Sequence, residues 1–214
     1  MGSIATPDEH ITPSSLPPPQ DPQSVQETIT ALSLLQHFEG GYFAETDRAV
    51  TSIPSPFPST PANPKTLAMI GGHDRPGFDP GRRDISSSIF YYLAPSSPVG
   101  HFHRNRCRIT HSLHSGRGRY VLIHEDGSVE SFVVGKNVAA GERLQWVVEG
   151  GDYKASFLLP DKDESKEASD GLLITEVAVP GFEFCDHDFL TKERLSEVVG
   201  GEKAKRLEWL VLKV

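Results

Sequence analysis

Gly100-His101-Phe102-His103-Arg104-Asn105-Arg106-Cys107-Arg108-Ile109-Thr110-His111-Ser112-Leu113-His114-Ser115-Gly116-Arg117-Gly118-Arg119 holds four of the nine histidines and five of the arginines of a 214-residue chain whose formal net charge is -8. Residues 101–104 and 109–113 read as short strands. With a side-chain period of two, Cys107, Ile109, His111 and Leu113 share one largely apolar face. Imidazole titrates near neutrality and is the commonest metal ligand. Such a run on a β scaffold is therefore a metal site, an acid/base site, or the remains of one.

Short strands continue on either side of the run. The spacing predicts strands over 42–48, 87–93, 119–124, 129–134, 143–148, 153–159, 172–179 and 182–184, with a hairpin turn at Asp126-Gly127. Strands this short, parted by Gly and Pro turns, point to an all-β sandwich or barrel. Asp21-Pro22 opens a helix whose apolar stripe is Val25, Ile29, Leu32 and Leu35, stopped at Gly40-Gly41 and packed on a sheet. Residues 191–199 and 202–212 read as helices split at Gly200-Gly201. They make 191–214 a helical segment packed on the barrel through Leu207, Leu210 and Val211.

Composition sets the outer limits. Residues 1–20, with Pro7, Pro13, Pro17, Pro18 and Pro19, read as a disordered leader. The main domain then spans 21–190. The long loops 49–66 and 71–84 are mostly Pro, Ser and Gly and read as insertions rather than lids, and the charged stretch 161–170 reads as a solvated loop. The excess of 29 Asp+Glu over 21 Lys+Arg argues against a nucleic-acid partner. Two cysteines, Cys107 and Cys185, are too few for a disulfide framework. No apolar signal core opens the chain and no run approaches the ~20 apolar residues of a membrane span. The expectation is a cytoplasmic protein with no membrane partner.

Several stretches taken in order resemble the cupin 5 family of the cupin superfamily, over about residues 34–190 without the proline-rich loops. They are Glu39-Gly40-Gly41-Tyr42-Phe43, Glu45-Thr46-Asp47-Arg48, Phe102-His103-Arg104, Gly141-Glu142 with Gln145, and Pro180-Gly181-Phe182-Glu183-Phe184. Residues 102–159 most resemble fungal members. The resemblance implies a double-stranded β-helix, or jelly-roll barrel, commonly a homodimer, with a small-molecule pocket in its mouth.

In that superfamily a His-x-His, a Glu and a third His hold a metal such as Fe or Mn. Here His101 and His103 supply the His-x-His, and alternation lets both face the lumen. Arg108 or Ile109 stands where the acid belongs and Lys154 where the third His belongs. A cation beside the site repels a metal, so no bound metal is expected at His101/His103. What remains suits acid/base work. His103 or His111 would be the base, Tyr92, Tyr120 or Tyr153 the acid, and Lys154 or Gln145 the group that stabilises an oxyanion. Alternatively, the two histidines only satisfy hydrogen bonds in a filled barrel. Glu45 and Arg48 either close one side of the pocket or form an ion pair. The five arginines, Arg119 among them, either meet an anionic ligand at the rim or pair with the protein's own acids; parity favours the second for Arg104 and Arg108. The function expected is a metal-independent isomerase- or epimerase-type proton transfer on an oxygenated or anionic metabolite. The alternatives are a non-catalytic module binding a sugar or nucleotide-like ligand, and a metal-dependent cupin enzyme.

Overall fold

The structure, a computed structural model, describes residues 11–59, 61, 63–69, 75–161 and 169–213. Thirteen strands and four helices are found among them. In chain order they are α1 (Gln23–Ala31), β1 (Leu35–Gln36), β2 (Tyr42–Arg48), β3 (Ser52–Pro54), α2 (Pro64–Met69), β4 (Arg82–Asp84), β5 (Ser87–Leu93), β6 (Val99–Asn105), β7 (Arg108–Ser115), β8 (Gly118–Ile123), β9 (Val129–Val134), β10 (Gln145–Val148), β11 (Tyr153–Leu158), β12 (Leu172–Val179), β13 (His187–Phe189), α3 (Lys192–Val199) and α4 (Gly201–Leu207). Antiparallel pairing gives a six-stranded sheet β1-β2-β5-β12-β7-β10, a five-stranded sheet β13-β6-β11-β8-β9 and a small ribbon β3-β4. This is the jelly-roll barrel expected from the sequence.

Alternation along the strands divides the core. Tyr91, Leu93, Trp146, Val148, Leu172 and Ile174 from the larger sheet meet Tyr120, Leu122, Phe132, Val134 and Leu158 from the smaller one in an apolar seam. The alternate residues of the smaller sheet, Phe102, Val121, Ile123, Tyr153, Ala155 and Phe157, turn outwards against Leu195, Leu207, Leu210 and Val211 of the C-terminal segment. Helix α1 covers the outer face of the larger sheet, where Val25 packs with Leu34, Tyr92 and Ala94.

Four expectations change. Helix α1 ends at Ala31, well short of Gly40-Gly41, because Ser33 turns to a positive φ of 53° and the chain enters β1. Residues 182–184 form no strand; a 3-10 turn at Phe184–Asp186 leads into β13 instead. Residues 1–10 lie outside the described residues, but the rest of the leader is ordered by packing, with Ile11 buried among the C-terminal apolar side chains. The proline-rich loops are also structured. Pairing of β3 with β4 and the short helix α2 bring parts of both back onto the barrel. Residues 71–74 and 162–168 of the expected loops fall outside the described set.

Leu210 is fully buried under the smaller sheet. Leu210→Ala should cost ~2–5 kcal/mol of unfolding free energy, read by urea denaturation. The same measurement on Val50→Ala, a fully exposed side chain, should move by no more than ~0.5 kcal/mol.

Candidate functional site

The apolar seam stops short of one end of the barrel. Leu172 and Ile174 of β12 belong to the seam, whereas Glu176 and Ala178, further along the same face, line a cavity of about 350 Å³. On β5 the sequence of inward residues likewise runs from Tyr91 to Ile89 and Ser87, and Phe38, Phe43, Phe182 and Phe184 add aromatic rings to the wall. The space is thus an apolar vessel with a polar floor.

One part of that floor is built from β7, β11 and β12. Lys154 Nζ donates to Glu176 Oε2 at 2.5 Å and to His111 Nε2 at 3.0 Å. His111 is fully buried, stacked on Trp146 with ring centroids 5.0 Å apart. Burial, and then the Lys154 charge, lower its pKa. Burial alone would raise the Glu176 carboxyl, but the Lys154 ammonium and then His111 bring it well below the usual range. Tyr120 and Tyr91 sit beside this group at a hollow of about 10 Å³, the scale of a single water. Burial raises both phenols well above 10, so they remain protonated.

The other part joins Glu39, His103 and His187. Glu39 rides on a tight turn in which the His37 N–H donates to the Gly41 carbonyl at 2.9 Å. Gly40 takes φ 100°, and a Cβ there would lie 2.0 Å from the Val99 carbonyl oxygen, so only glycine fits. His103 Nε2 stands 3.2 Å from Glu39 Oε2, and His187 Nε2 stands 2.9 Å from Glu39 Oε1. His103 Nδ1 donates to the His101 carbonyl at 2.8 Å. Burial pushes the His103 imidazole down to about 3, over the opposing pull of Glu39.

The sequence candidates fare differently. His103, His111, Lys154, Glu45 and Tyr120 are gathered at the cavity or directly behind it. His101 is not. Gly100 and His103 of β6 stand opposite Ser156 and Lys154 of β11, three steps against two. This bulge breaks the alternation. The His101 backbone N–H and Nδ1 both donate to the Glu39 carbonyl, at 2.8 and 2.9 Å, so His101 fixes the Glu39 turn from outside the cavity. Tyr153 lies on the opposite face of β11 from Lys154, within the outer core and under the Arg104 guanidinium at 4.9 Å, and is corrected from catalytic candidate to packing residue. Tyr92 faces α1 and donates to the Asp170 carbonyl at 2.5 Å. Gln145 is exposed on edge strand β10, bonded to Ser112. Arg119 is buried on the outward face of β8 and donates to Ser131. None of these three lines the cavity.

Most of the other arginines keep to the protein's own acids. Arg104 meets Asp188, Arg106 meets Asp186, Arg108 meets Glu149 and Arg117 meets Glu142. At the mouth, Arg48 is bound by Glu45, Asp84 and Glu183, and Arg75 by Glu183 at 2.6 Å and Asp84 at 3.4 Å. Four glutamates against two arginines line the cavity, a balance that disfavours an anionic ligand. The donor set that the superfamily's metal pattern requires does not fit this chain. His101 is turned away, and the Lys154 ammonium occupies the third histidine's place in an ion pair.

Sequence reasoning missed Glu39, Glu176 and His187. Glu176 was recoverable, as the one charged residue of 172–179, on the same face as Leu172 and Ile174. Glu39 precedes a Gly-Gly turn, where a carboxylate ordinarily meets water, and His187 carries no spacing signal.

Comparisons with known proteins agree with this architecture. Residues 26–190 match the cupin 5 family, described as the cupin superfamily, DUF985. The uncharacterized protein YML079W of Saccharomyces cerevisiae is 45% identical over 204 residues, 94% of each chain. Among solved structures, a hypothetical protein from Leishmania major superposes with a TM-score of 0.68 at 23% identity, covering 88% of this chain and 98% of that one. Protein SO0799 from Shewanella oneidensis gives 0.66 at 24% identity, covering 90% and 100%. At such identities these two structures speak for the fold alone. With its barrel, its successive motifs and a match spanning most of its length, the chain belongs to the cupin 5 family of the cupin superfamily.

Proposed function

We propose that the chain is a small-molecule enzyme that moves a proton on an uncharged, oxygenated metabolite held in the cavity, in the manner of an isomerase or epimerase. The observation that carries this reading is the Lys154–Glu176 pair at 2.5 Å, in which a carboxylate opens on an apolar cavity and an ammonium is bonded to it from behind. Glu176 keeps its carboxylate form because Lys154 and His111 outweigh burial, so it can accept a proton from a carbon next to a carbonyl. The electron pair of that C–H bond moves into the carbonyl, and the enolate oxygen, placed at the small hollow beside Glu176, takes a hydrogen bond from the protonated Tyr120 phenol. In an α-hydroxycarbonyl ligand, Glu176 returns the proton to the former carbonyl carbon while the hydroxyl proton passes to the enolate oxygen, which isomerises the ligand. Epimerisation takes a second proton donor on the opposite face of the carbon.

His111 acts as a positioning residue: it lies behind Lys154 and holds its ammonium. Glu39, His103 and His187 form the end of the site that receives the ligand's oxygens, in place of the base role expected of His103 from the sequence. A carboxylate held so far below neutrality is a weak base, and it works only on a carbon whose carbonyl is strongly polarised.

A panel of small sugars, hydroxyketones and diketones incubated with the protein in D2O tests the reading. The expected result is enzyme-dependent deuterium exchange next to the carbonyl for at least one compound, slowed ~10²–10⁴-fold by Glu176→Gln, with binding retained in thermal-shift assays. A compound that binds but exchanges no faster than in buffer would instead favour a binding module.

Stability should also respond to acid through His111. Its folded pKa lies below the ordinary 6.5, so the unfolded chain takes up a proton that the folded barrel refuses. The His111 contribution is fully present above about pH 6.5 and is lost as the pH falls, by at most ~1.4 kcal/mol per pH unit for one proton. His111→Gln, which cannot titrate, should make the fall in urea-derived unfolding free energy shallower between about pH 7.5 and about pH 5. Equal slopes for the two proteins would assign the acid sensitivity to other groups.

A further inference from the structure

Glu39, His103 and His187 converge from three separate parts of the chain: the turn before β2, the middle of β6 and the start of β13. One potential ligand atom from each lies within 4.8 Å of the other two. Nε2 of His103 and Nε2 of His187 are buried without a hydrogen-bond partner, although carboxylate oxygens stand only 3.2 and 2.9 Å away. Distance is therefore not what denies the bonds. Two imidazole nitrogens and a carboxylate gathered this closely, with neither nitrogen hydrogen-bonded, form an arrangement suited to a cation.

The supporting contacts agree. His103 Nδ1 faces a backbone carbonyl, which can only accept, so Nδ1 carries the hydrogen and Nε2 presents a lone pair to Glu39. Two acceptors face each other there, a repulsive contact unless something positive lies between them. His187 Nδ1 is engaged by the buried Thr66 hydroxyl at 3.2 Å, leaving its Nε2 to face Glu39. A hydrogen bond on the far nitrogen is the usual means of orienting a ligating histidine. His101 adds a further brace by fixing the Glu39 carbonyl with two donors. Ligands at ~2.0–2.2 Å from one ion lie ~3 Å apart when adjacent, the spacing found between Glu39 and each imidazole. His37 is no fourth ligand through Nδ1, which accepts the Glu39 backbone N–H at 3.3 Å.

We propose that Glu39, His103 and His187 form a binding site for one divalent first-row transition-metal ion. Two imidazoles and one carboxylate suit Fe²⁺, Co²⁺, Ni²⁺ or Zn²⁺ rather than Ca²⁺ or Mg²⁺. Three protein ligands leave the ion incompletely coordinated. The Glu39 side chain keeps 10% of its surface open and, with His103, borders the cavity, so the remaining positions face the ligand space. The site shares only His103 with the superfamily pattern. It deepens the reading above by naming what would receive the ligand's oxygens, while binding itself requires no turnover.

The test is titration of the full chain, prepared without a histidine tag and stripped by chelator, with CoCl₂. Binding is read from visible ligand-field absorption and from the thermal midpoint. The expected result is saturation at one Co²⁺ per chain, with a raised midpoint and displacement of the colour by Zn²⁺. His187→Ala should weaken binding by at least ~10–100-fold, and His111→Gln should leave it in place. Glu39→Gln, nearly isosteric, should weaken binding likewise and replaces His187→Ala if that variant fails to fold. No saturable binding by the wild type, or binding that survives undiminished the loss of His187 or Glu39, overturns the proposal. Because these readouts ignore catalysis, a failed deuterium-exchange assay leaves them standing, and the reverse also holds.

Discussion

A lysine from one sheet and a glutamate from the other meet inside this barrel, and the interior is arranged around them. Lys154 on β11 and Glu176 on β12 are taken out of water together, and each is tolerable there only because the other is present. Removing one partner of such a pair leaves a buried charge uncompensated, at a cost of ~3–5 kcal/mol. The pair also divides the interior. On one side, apolar side chains from both sheets close into a packed seam. On the other, the barrel stays open as a cavity with Glu39, His103 and Glu176 on its floor. Filling the whole barrel with apolar residues would have produced an ordinary core and no site.

Much of this was legible in the sequence. Strands β2, β5, β9 and β12 fall where the period of two places them, and the same period puts Ile109, His111 and Leu113 on the inner side of β7. It fails at His101 and His103. The bulge between β6 and β11 adds one residue to one strand, and nothing in the composition of 100–104 marks it. One inserted step was enough to turn His101 from the cavity wall into a clamp on the Glu39 backbone. Tyr153 was misassigned for a different reason. It is next to Lys154 in the chain, and neighbours on a strand point to opposite faces.

The proline-rich segments show a second limit. Composition reports how a segment turns, not what it docks against. Phe57 places its ring beside the Arg83 and Arg106 guanidiniums. Arg83 forms a buried pair with Asp186 at 2.7 Å and so ties β4 to the turn before β13. Thr66 reaches His187, and Arg75 reaches Glu183. These segments read as insertions from their residue types, yet they form part of the cavity wall and support the site from behind.

The turn that carries Glu39 comes early in the chain, and β13 with His187 comes near the end of the domain. The strands between them make the barrel, but neither the carboxylate nor the second imidazole belongs to its middle. On the ribosome, therefore, the Glu39–His103–His187 cluster is among the last features to be completed, after every other strand of both sheets has been made. A chain stopped before β13 could pair most of its sheets and still lack the cluster. In this protein the assembled site is a mark that synthesis of the domain has finished.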